Sequence, residues 1–339
     1  MAAVPRIRPK HLYCLSALYR WIFSIAASSI TNILILIDDA SVMMKNNAIF
    51  RYIAALLLFG SNGIVASFIS LSSYEIVFTR TLIGSLFLVL IFISSKQKVQ
   101  FWRNKSHFLY LGISGAAMGA SWLFLFEAYA QIGVSISTLA YYCGPVIVMV
   151  LSPMIFNEKM TAAKLIGFLA VLLGMFCVNG QALLQGNLSW GLIFGILSAF
   201  TYAFMVIFNK KAVSITGLEN PMWQLIISFI TVAIFLGLKQ GFSVNITSEN
   251  LIPILFLGIV NTGIGCYFYF SSIGDLPVQT VAICGYLESL SALFFSSAFL
   301  GESLSFVQIV GAVLILGGAA LEKLFRQWNK KHPLPKGAF

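Results

Sequence analysis

Apolar residues arrive in long runs, each about one bilayer crossing in length, separated by short polar connections. Between Lys45 and Glu322 these runs predict ten helices, over 49–70, 73–94, 106–130, 134–156, 161–180, 187–209, 220–239, 250–272, 277–299 and 303–322. A helix of about 20 apolar residues spans the hydrocarbon core, so the expected fold class is an all-α integral membrane protein. Pro221, Pro253 and Pro277 fall at or near predicted helix starts, where a missing N–H costs little. Pro145 and Pro153 fall inside the fourth predicted helix and are expected to bend it.

The pattern is duplicated. GVSISTLAYYCGPVIVMVLSPMIFNEKMTAAKLIG, from Gly133 to Gly167, returns as PVQTVAICGYLESLSALFFSSAFLGESLSFVQIVG, from Pro277 to Gly311. Tyr142 falls on Tyr286, Pro145 on Ser289 and Glu158 on Glu302, all at one constant offset. Leu109, Gly112, Ala116 and Gly119 likewise fall on Leu255, Gly258, Thr262 and Gly265. The ten helices therefore divide five and five. An odd number per copy makes the second copy enter the membrane from the opposite side, giving an inverted repeat that encloses a site near the midplane.

Charge sets the orientation. With the start of the first helix inside, Lys45 and Arg51, Lys96 to Lys105, Lys159 and Lys164, Lys210 and Lys211, and Lys323 to Lys336 share the cytoplasmic face, and Lys239 stands outside. This asymmetry predicts both ends of the ten-helix core in the cytoplasm, in a cell inner membrane.

Only 9% of the residues are charged and 59% are hydrophobic, against about a quarter charged in a soluble domain. The net charge of +10 sits in short clusters between apolar runs. It reads as topology, and no nucleic-acid partner is expected. Cys14, Cys143, Cys177, Cys266 and Cys284 are isolated, so neither disulfides nor a metal site is expected. No cofactor motif is present.

Residues 1–43 carry Arg6, Arg8, Lys10 and Arg20 before an apolar run from Trp21 to Ile37. That run is short for a span, and Met43-Met44-Lys45-Asn46 resembles a start. The expectation is an upstream extension outside the fold. The rival reading is an extra interfacial or spanning helix.

Arg80, Glu127 and Glu288 are ionisable groups inside apolar runs. A charge at mid-bilayer costs at least about 2.5 kcal/mol, so each is expected to face the protein interior. Glu127 is read as a site for a substrate amine or a proton, against a paired structural carboxyl. Glu288 is read as a coupling carboxyl, against a packing element. Arg80 is read as a grip on a substrate carboxylate, against a brace to helix-end carbonyls or to Glu75; a pair with Glu127 is also conceivable. Glu158 and Glu302 are expected to cap the helices that follow them. Trp122, Tyr141, Tyr142, Tyr202, Tyr267, Tyr269 and Tyr286 offer flat apolar bodies, and the tyrosines add polar handles. About a third of these seven are expected to touch substrate, the rest to pack. Asn62 and Asn261 are candidate cavity liners, with helix–helix glue as the competing reading. Gly112, Gly115 and Gly119 form a small-residue stripe expected to pack closely.

Helix one contains LLLFGSNGIVASF, with Phe59 where a Trp is common; helix two contains EIVFTRTLIGSLF, with a mid-helix Arg80; helices nine and ten contain YLESLSALFFSSAFLGESLSFVQIVGAVLILGG, with Ser289 where a Pro is usual. In these segments the chain resembles the EamA family of the drug/metabolite transporter superfamily. The resemblance covers residues 50–322 and implies two EamA repeats, 44–180 and 187–322, followed by a basic tail, 323–339. It implies a cavity lined mainly by helices one, three, four, six, eight and nine, with the two halves rocking around it.

The expected function is a secondary transporter exporting a small amphipathic metabolite, an amino acid, amine or similar, with protons as the coupling ion considered. Import on the same fold is the alternative. A receptor or structural role is a third reading. No GxxxxGK[ST] loop supports an ATP-driven pump. A membrane-embedded enzyme would need clustered intramembrane catalysts, and His11, His107 and His332 lie outside the spans or at a span edge.

Overall fold

The computed structural model describes residues 48–132, 137, 140–158, 160–183, 190–239, 241–242, 244, 246–300 and 305–331. Residues 1–43 and Glu302 lie outside them. The described elements are helical: α1 (Ala48–Gly60), α2 (Asn62–Ser67), α3 (Ser73–Ser94), α4 (Lys105–Ile132), α5 (Cys143–Phe156), α6 (Ala162–Leu183) and α7 (Trp190–Lys211). There follow α8 (Glu219–Lys239), α9 (Ser248–Phe256), a π-helical segment (Leu257–Ile264), α10 (Gly265–Ile273), α11 (Val278–Gly285), α12 (Leu287–Leu300) and α13 (Phe306–Lys331). Among the described residues, six stretches are long and apolar enough to cross a membrane: Ala48–Ser67, Ser73–Ser94, Lys105–Tyr129, Trp190–Lys211, Glu219–Lys239 and Ser248–Ile273. Shorter apolar helices cover Cys143–Phe156, Lys164–Cys177 and Phe306–Gly318. The chain is a multi-pass membrane protein.

The start of α3 shows why local sequence stops and starts these helices. Ser72 Oγ accepts from the Glu75 N–H at 3.4 Å, and Glu75 Oε2 accepts from the Ser72 N–H at 2.8 Å. This reciprocal pair satisfies two of the N–H groups that a helix start leaves open. At the far end of α5, Asn157 takes the left-handed conformation, φ 53°, which Asn tolerates better than most residues.

Three of the predicted continuous helices are interrupted. The first pauses at Ser61, between α1 and α2. The ninth breaks at Tyr286, between α11 and α12. In the fourth, Tyr142 is a turn residue and the N-cap of α5. The repeat predicts this equivalence of Tyr142 and Tyr286. Pro145 is thereby corrected: it sits in the first turn of α5, where its missing N–H has no helical acceptor to lose. Pro153 does lie inside α5. The predicted eighth helix contains the π-helical turn around Asn261 and Thr262, in which Thr262 Oγ1 donates to the Leu257 carbonyl at 2.8 Å.

Packing interleaves the two repeats. α7 packs along α4 and also against α5, making one bundle; α1 packs against α10 and α12, making another, and α11, the first part of the same predicted helix as α12, lies across on α5. Each bundle thus draws helices from both sequence halves. The two sequence halves therefore do not pack as separate bodies. α3 and α8 pack against each other beside both bundles, and α6 pairs with α13. The α6–α13 approach is close: a Cβ on Gly318 would stand 2.5 Å from the Gly167 carbonyl oxygen, and one on Gly174 2.6 Å from that of Gly311. In the expected small-residue stripe, a Cβ on Gly115 or Gly119 would meet α8 at 2.8 Å, but Gly112 faces open space.

Long-range contacts sort the helix ends. Arg51 pairs with Asp275 at 3.4 Å, Lys164 with Gln279 at 2.5 Å, and Lys210 with the Ile273 carbonyl at 3.0 Å. Glu219 accepts from the Gln100 and Phe101 N–H groups at 2.9 and 3.0 Å. The connections carrying the basic clusters therefore gather at one end of the molecule. Lys239 stands at the other end, 3.0 Å from Glu127 and 2.8 Å from the Tyr74 hydroxyl.

Candidate functional site

A pocket lies between the two bundles, with about 470 Å³ of unfilled space counted out to its mouth. One wall comes from α4, α7 and the residue before the α5 break: Met118, Ser121, Trp122, Tyr141, Tyr202 and Met205. The facing wall comes from α1, α2, α10 and α12: Phe59, Asn62, Cys266, Tyr269, Phe270 and Glu288. These belong to predicted helices one, three, four, six, eight and nine. The lining is mostly apolar with a few polar groups, a chemistry that suits a small organic molecule.

The aromatic side chains support one another. Tyr141 meets Tyr202 edge to face at 5.3 Å, and the hydroxyls of Tyr202 and Tyr269 lie 3.2 Å apart, joining the two walls. Phe59 and Tyr52 each pack on Tyr269, at 5.8 and 5.2 Å. Tyr52 in turn donates to the Val281 carbonyl at 2.9 Å. Ser121 donates to the Ser198 carbonyl at 2.9 Å, and Ser198 returns a bond to the Ser121 carbonyl at 2.8 Å.

Glu288 supplies the lining's carboxylate. Its position two residues after the Tyr286 break puts it in the first turn of α12. Among the described residues, neither a hydrogen bond nor an ion pair holds that carboxylate. The buried Arg80 guanidinium acts on it through space, and a carboxylate among aromatic rings further draws a bound cation, a proton or water.

Arg80 is 4% exposed and sits behind the lining. Its Nε donates to Thr262 Oγ1 at 2.9 Å, its Nη2 lies 3.5 Å from Asn62 Oδ1, and its guanidinium carbon stacks 4.6 Å from the Trp122 ring centre. The expected braces to Glu75 or to helix-end carbonyls are not what hold it; Glu75 is engaged by Ser72. The fork instead grips the π-helical turn and two lining residues, Asn62 and Trp122. Asn261, buried in the same turn, donates to the Leu58 carbonyl, Ser61 Oγ and Asn62 Oδ1 at 3.1, 2.9 and 2.9 Å. It ties the π turn to the pause between α1 and α2.

The structure separates the other expected site residues from the pocket lining. Glu127 pairs with Lys239 at 3.0 Å and accepts from Gln131 at 2.9 Å. It stands at the rim, a quarter exposed, because its position late in α4 brings it level with the end of α8. It pairs neither with Arg80 nor across the pocket. Tyr286 is fully buried and donates to the Tyr142 carbonyl at 2.8 Å. The Tyr142 ring packs between Tyr141 and Tyr286, at 5.7 and 5.9 Å. Tyr267 packs on Phe268 at 5.8 Å. Glu158 does act as a helix cap, but for α11 in the other repeat: it accepts from the Val278 and Gln279 N–H groups at 2.7 and 3.2 Å.

Met118, Ser121, Met205 and Phe270 line the pocket without having been singled out by sequence, and Phe59 and Cys266 were named there only as a motif position and an isolated cysteine. Helical spacing was the available signal. Met118 lies one turn before Trp122, Met205 one turn after Tyr202, Phe59 one turn before Asn62, and Cys266 one turn before Tyr269.

The sequence model of the EamA-like transporter family matches this chain twice, over residues 46–180 and 189–322. The chain belongs to the EamA-like transporter family. Among curated relatives, the "Uncharacterized transporter YxxF" of Bacillus subtilis is 28% identical over 293 residues, 84% of this chain and 91% of the relative. The "Uncharacterized inner membrane transporter YhbE" of Escherichia coli K12 is 24% identical over 76% of this chain and 85% of the relative. A "Probable amino-acid metabolite efflux pump" of Salmonella typhimurium is 25% identical over 50% of this chain and 60% of the relative. A solved crystal structure superposes with a TM-score of 0.68 at 16% identity, covering 82% of this chain and 97% of that one, a likeness of fold alone. Membership in the EamA-like family implies a small-molecule substrate handled across a lipid bilayer.

Proposed function

We propose that this EamA-like protein is a secondary transporter that exports a small amphipathic metabolite, an amino acid or amine, by alternating access. The observation that carries the reading is the Glu288 carboxylate, which among the described residues has no hydrogen bond or ion pair and faces a pocket walled by Phe59, Trp122, Tyr141, Tyr202 and Tyr269. Aromatic faces attract an organic cation and cover an apolar body, and a carboxylate in low dielectric favours either a positive charge or a proton. Glu288 is therefore the proposed exchange point, taking a proton in one state and the substrate ammonium in the other. Glu127, paired with Lys239 at the rim, is set aside as the carrier.

In this proposal the chain crosses the bilayer ten times as two inverted five-helix repeats, 44–180 and 187–322. Both ends of this core lie in the cytoplasm of an inner membrane, and the basic residues 323–339 follow as a tail. Residues 1–43 take no part. The Salmonella relative's name supports efflux of an amino-acid metabolite. The test is substrate-induced thermal stabilisation of purified protein across a panel of amino acids, amines and dicarboxylates. Stabilisation by ammonium-bearing compounds that disappears in Glu288→Gln supports the reading. Stabilisation by dicarboxylates alone, unchanged in Glu288→Gln, overturns it.

A further inference from the structure

Between the pocket and the end bearing the basic clusters runs the connection from Ile273 to Gln279, which leaves α10 and enters α11. The α4–α5–α7 side grips it at both helix ends. Lys210, in the last turn of α7, donates to the carbonyls of Ile273 at 3.0 Å, Gly274 at 3.3 Å and Leu276. These are the groups that the end of α10 leaves without helical partners. Glu158, just past α5, accepts from Val278 and Gln279, the first N–H groups of α11. Lys164 closes the set on the Gln279 side-chain oxygen, while the Gln279 amide donates to the Glu158 carbonyl at 3.3 Å.

The charges match the helix ends they meet, an ammonium on a C-terminus and a carboxylate on an N-terminus. Charge-assisted bonds of this kind are about twice as strong as neutral ones. Arg51 differs in kind: it reaches Asp275 and Ser271 from α1, within the connection's own bundle.

We infer that Glu158 and Lys210 form a two-ended latch that holds the two bundles together on the basic face, and that opening the pocket to that face requires its release. On release, the α10 carbonyls, the α11 N–H groups, Glu158 and Lys210 all pass to water together. The inference rests on the alternating-access reading above.

Accessibility tests it without a substrate. A single Phe59→Cys reporter in the pocket, with the five native cysteines replaced by Ala, is reacted with a charged, membrane-impermeant methanethiosulfonate. Inside-out and right-side-out vesicles are compared, and Lys98→Cys marks the basic face. Glu158→Ala and Lys210→Met are each expected to raise the reporter's rate from the basic face at least about tenfold, the change that about 1.4 kcal/mol brings. Lys210→Arg, which keeps its donors, restores the parent rate, and Asp275→Asn leaves it unchanged. An unchanged rate in both latch variants overturns the latch, as does an equal rise from both faces or an equal rise in Asp275→Asn. The readout is independent of transport, so loss of the latch would leave the substrate reading standing, and the converse.

Discussion

The Tyr286 hydroxyl donates to the Tyr142 backbone carbonyl at 2.8 Å, so the two residues that the repeat makes equivalent are bonded to each other at the break of each helix. A break frees carbonyls that the next turn would have engaged, and in a membrane interior each needs a partner from elsewhere. Tyr286 provides one across the bundle interface. Tyr286→Phe removes that buried bond and is expected to destabilise the protein by about 0.5–1.5 kcal/mol. A lowered melting temperature in detergent checks it.

Arg80 is held by shape as well as charge. Its fork meets Thr262 while its flat face covers Trp122. A lysine has neither the fork nor the plane. Arg80→Lys is therefore expected to behave nearly as badly as Arg80→Gln, each losing about 1–3 kcal/mol as the buried polar groups around it lose their partner. Thermal unfolding of the two variants side by side gives the comparison; full rescue by Lys would show that charge alone matters there.

Glu127 and Lys239 form an ion pair whose side chains are 24% and 42% exposed. Exposed pairs contribute about 0–1 kcal/mol. A double-mutant cycle with Glu127→Gln and Lys239→Met is expected to give a coupling below about 1 kcal/mol. Either variant should leave substrate-induced stabilisation intact. Loss of that stabilisation in Glu127→Gln would bring the rim carboxylate back into the site.

Gly318 stands where a Cβ would press to 2.5 Å from the Gly167 carbonyl oxygen. The obstacle is backbone and cannot rotate aside. Gly318→Ala is expected to cost about 1–3 kcal/mol by overpacking, whereas Gly112→Ala, which meets open space, should be nearly neutral. Melting temperatures of the two variants separate these outcomes.

Hydropathy and the repeat made the helical stretches legible, and the equivalence of Tyr142 and Tyr286 with them. The interruptions themselves were not legible. A run such as LGIVNTGI is as apolar as its neighbours, and nothing in its periodicity marks the π turn around Asn261. Pro145 pointed to the right neighbourhood but to the wrong residue, because a proline starts a helix more easily than it bends one. Asn62, Trp122, Tyr141, Tyr202, Tyr269 and Glu288 stood out as polar or aromatic residues within spans, and the structure brings them to one pocket. Glu127 stood out equally, yet its partner Lys239 comes from a helix four elements later in the chain. Glu158 reads as a local cap, but it serves a helix in the other repeat. Sequence spacing sees contacts within a helix; these pairings depend on how the two repeats interleave.

The most direct test of Glu288 as the exchange point is transport in proteoliposomes under an imposed pH gradient, comparing the parent protein with Glu288→Gln on a stabilising substrate. A Gln holds the neutral shape and cannot release a proton. Gradient-driven accumulation should vanish in Glu288→Gln while the parent concentrates substrate. Accumulation by Glu288→Gln with the parent's rate and pH dependence would contradict that role.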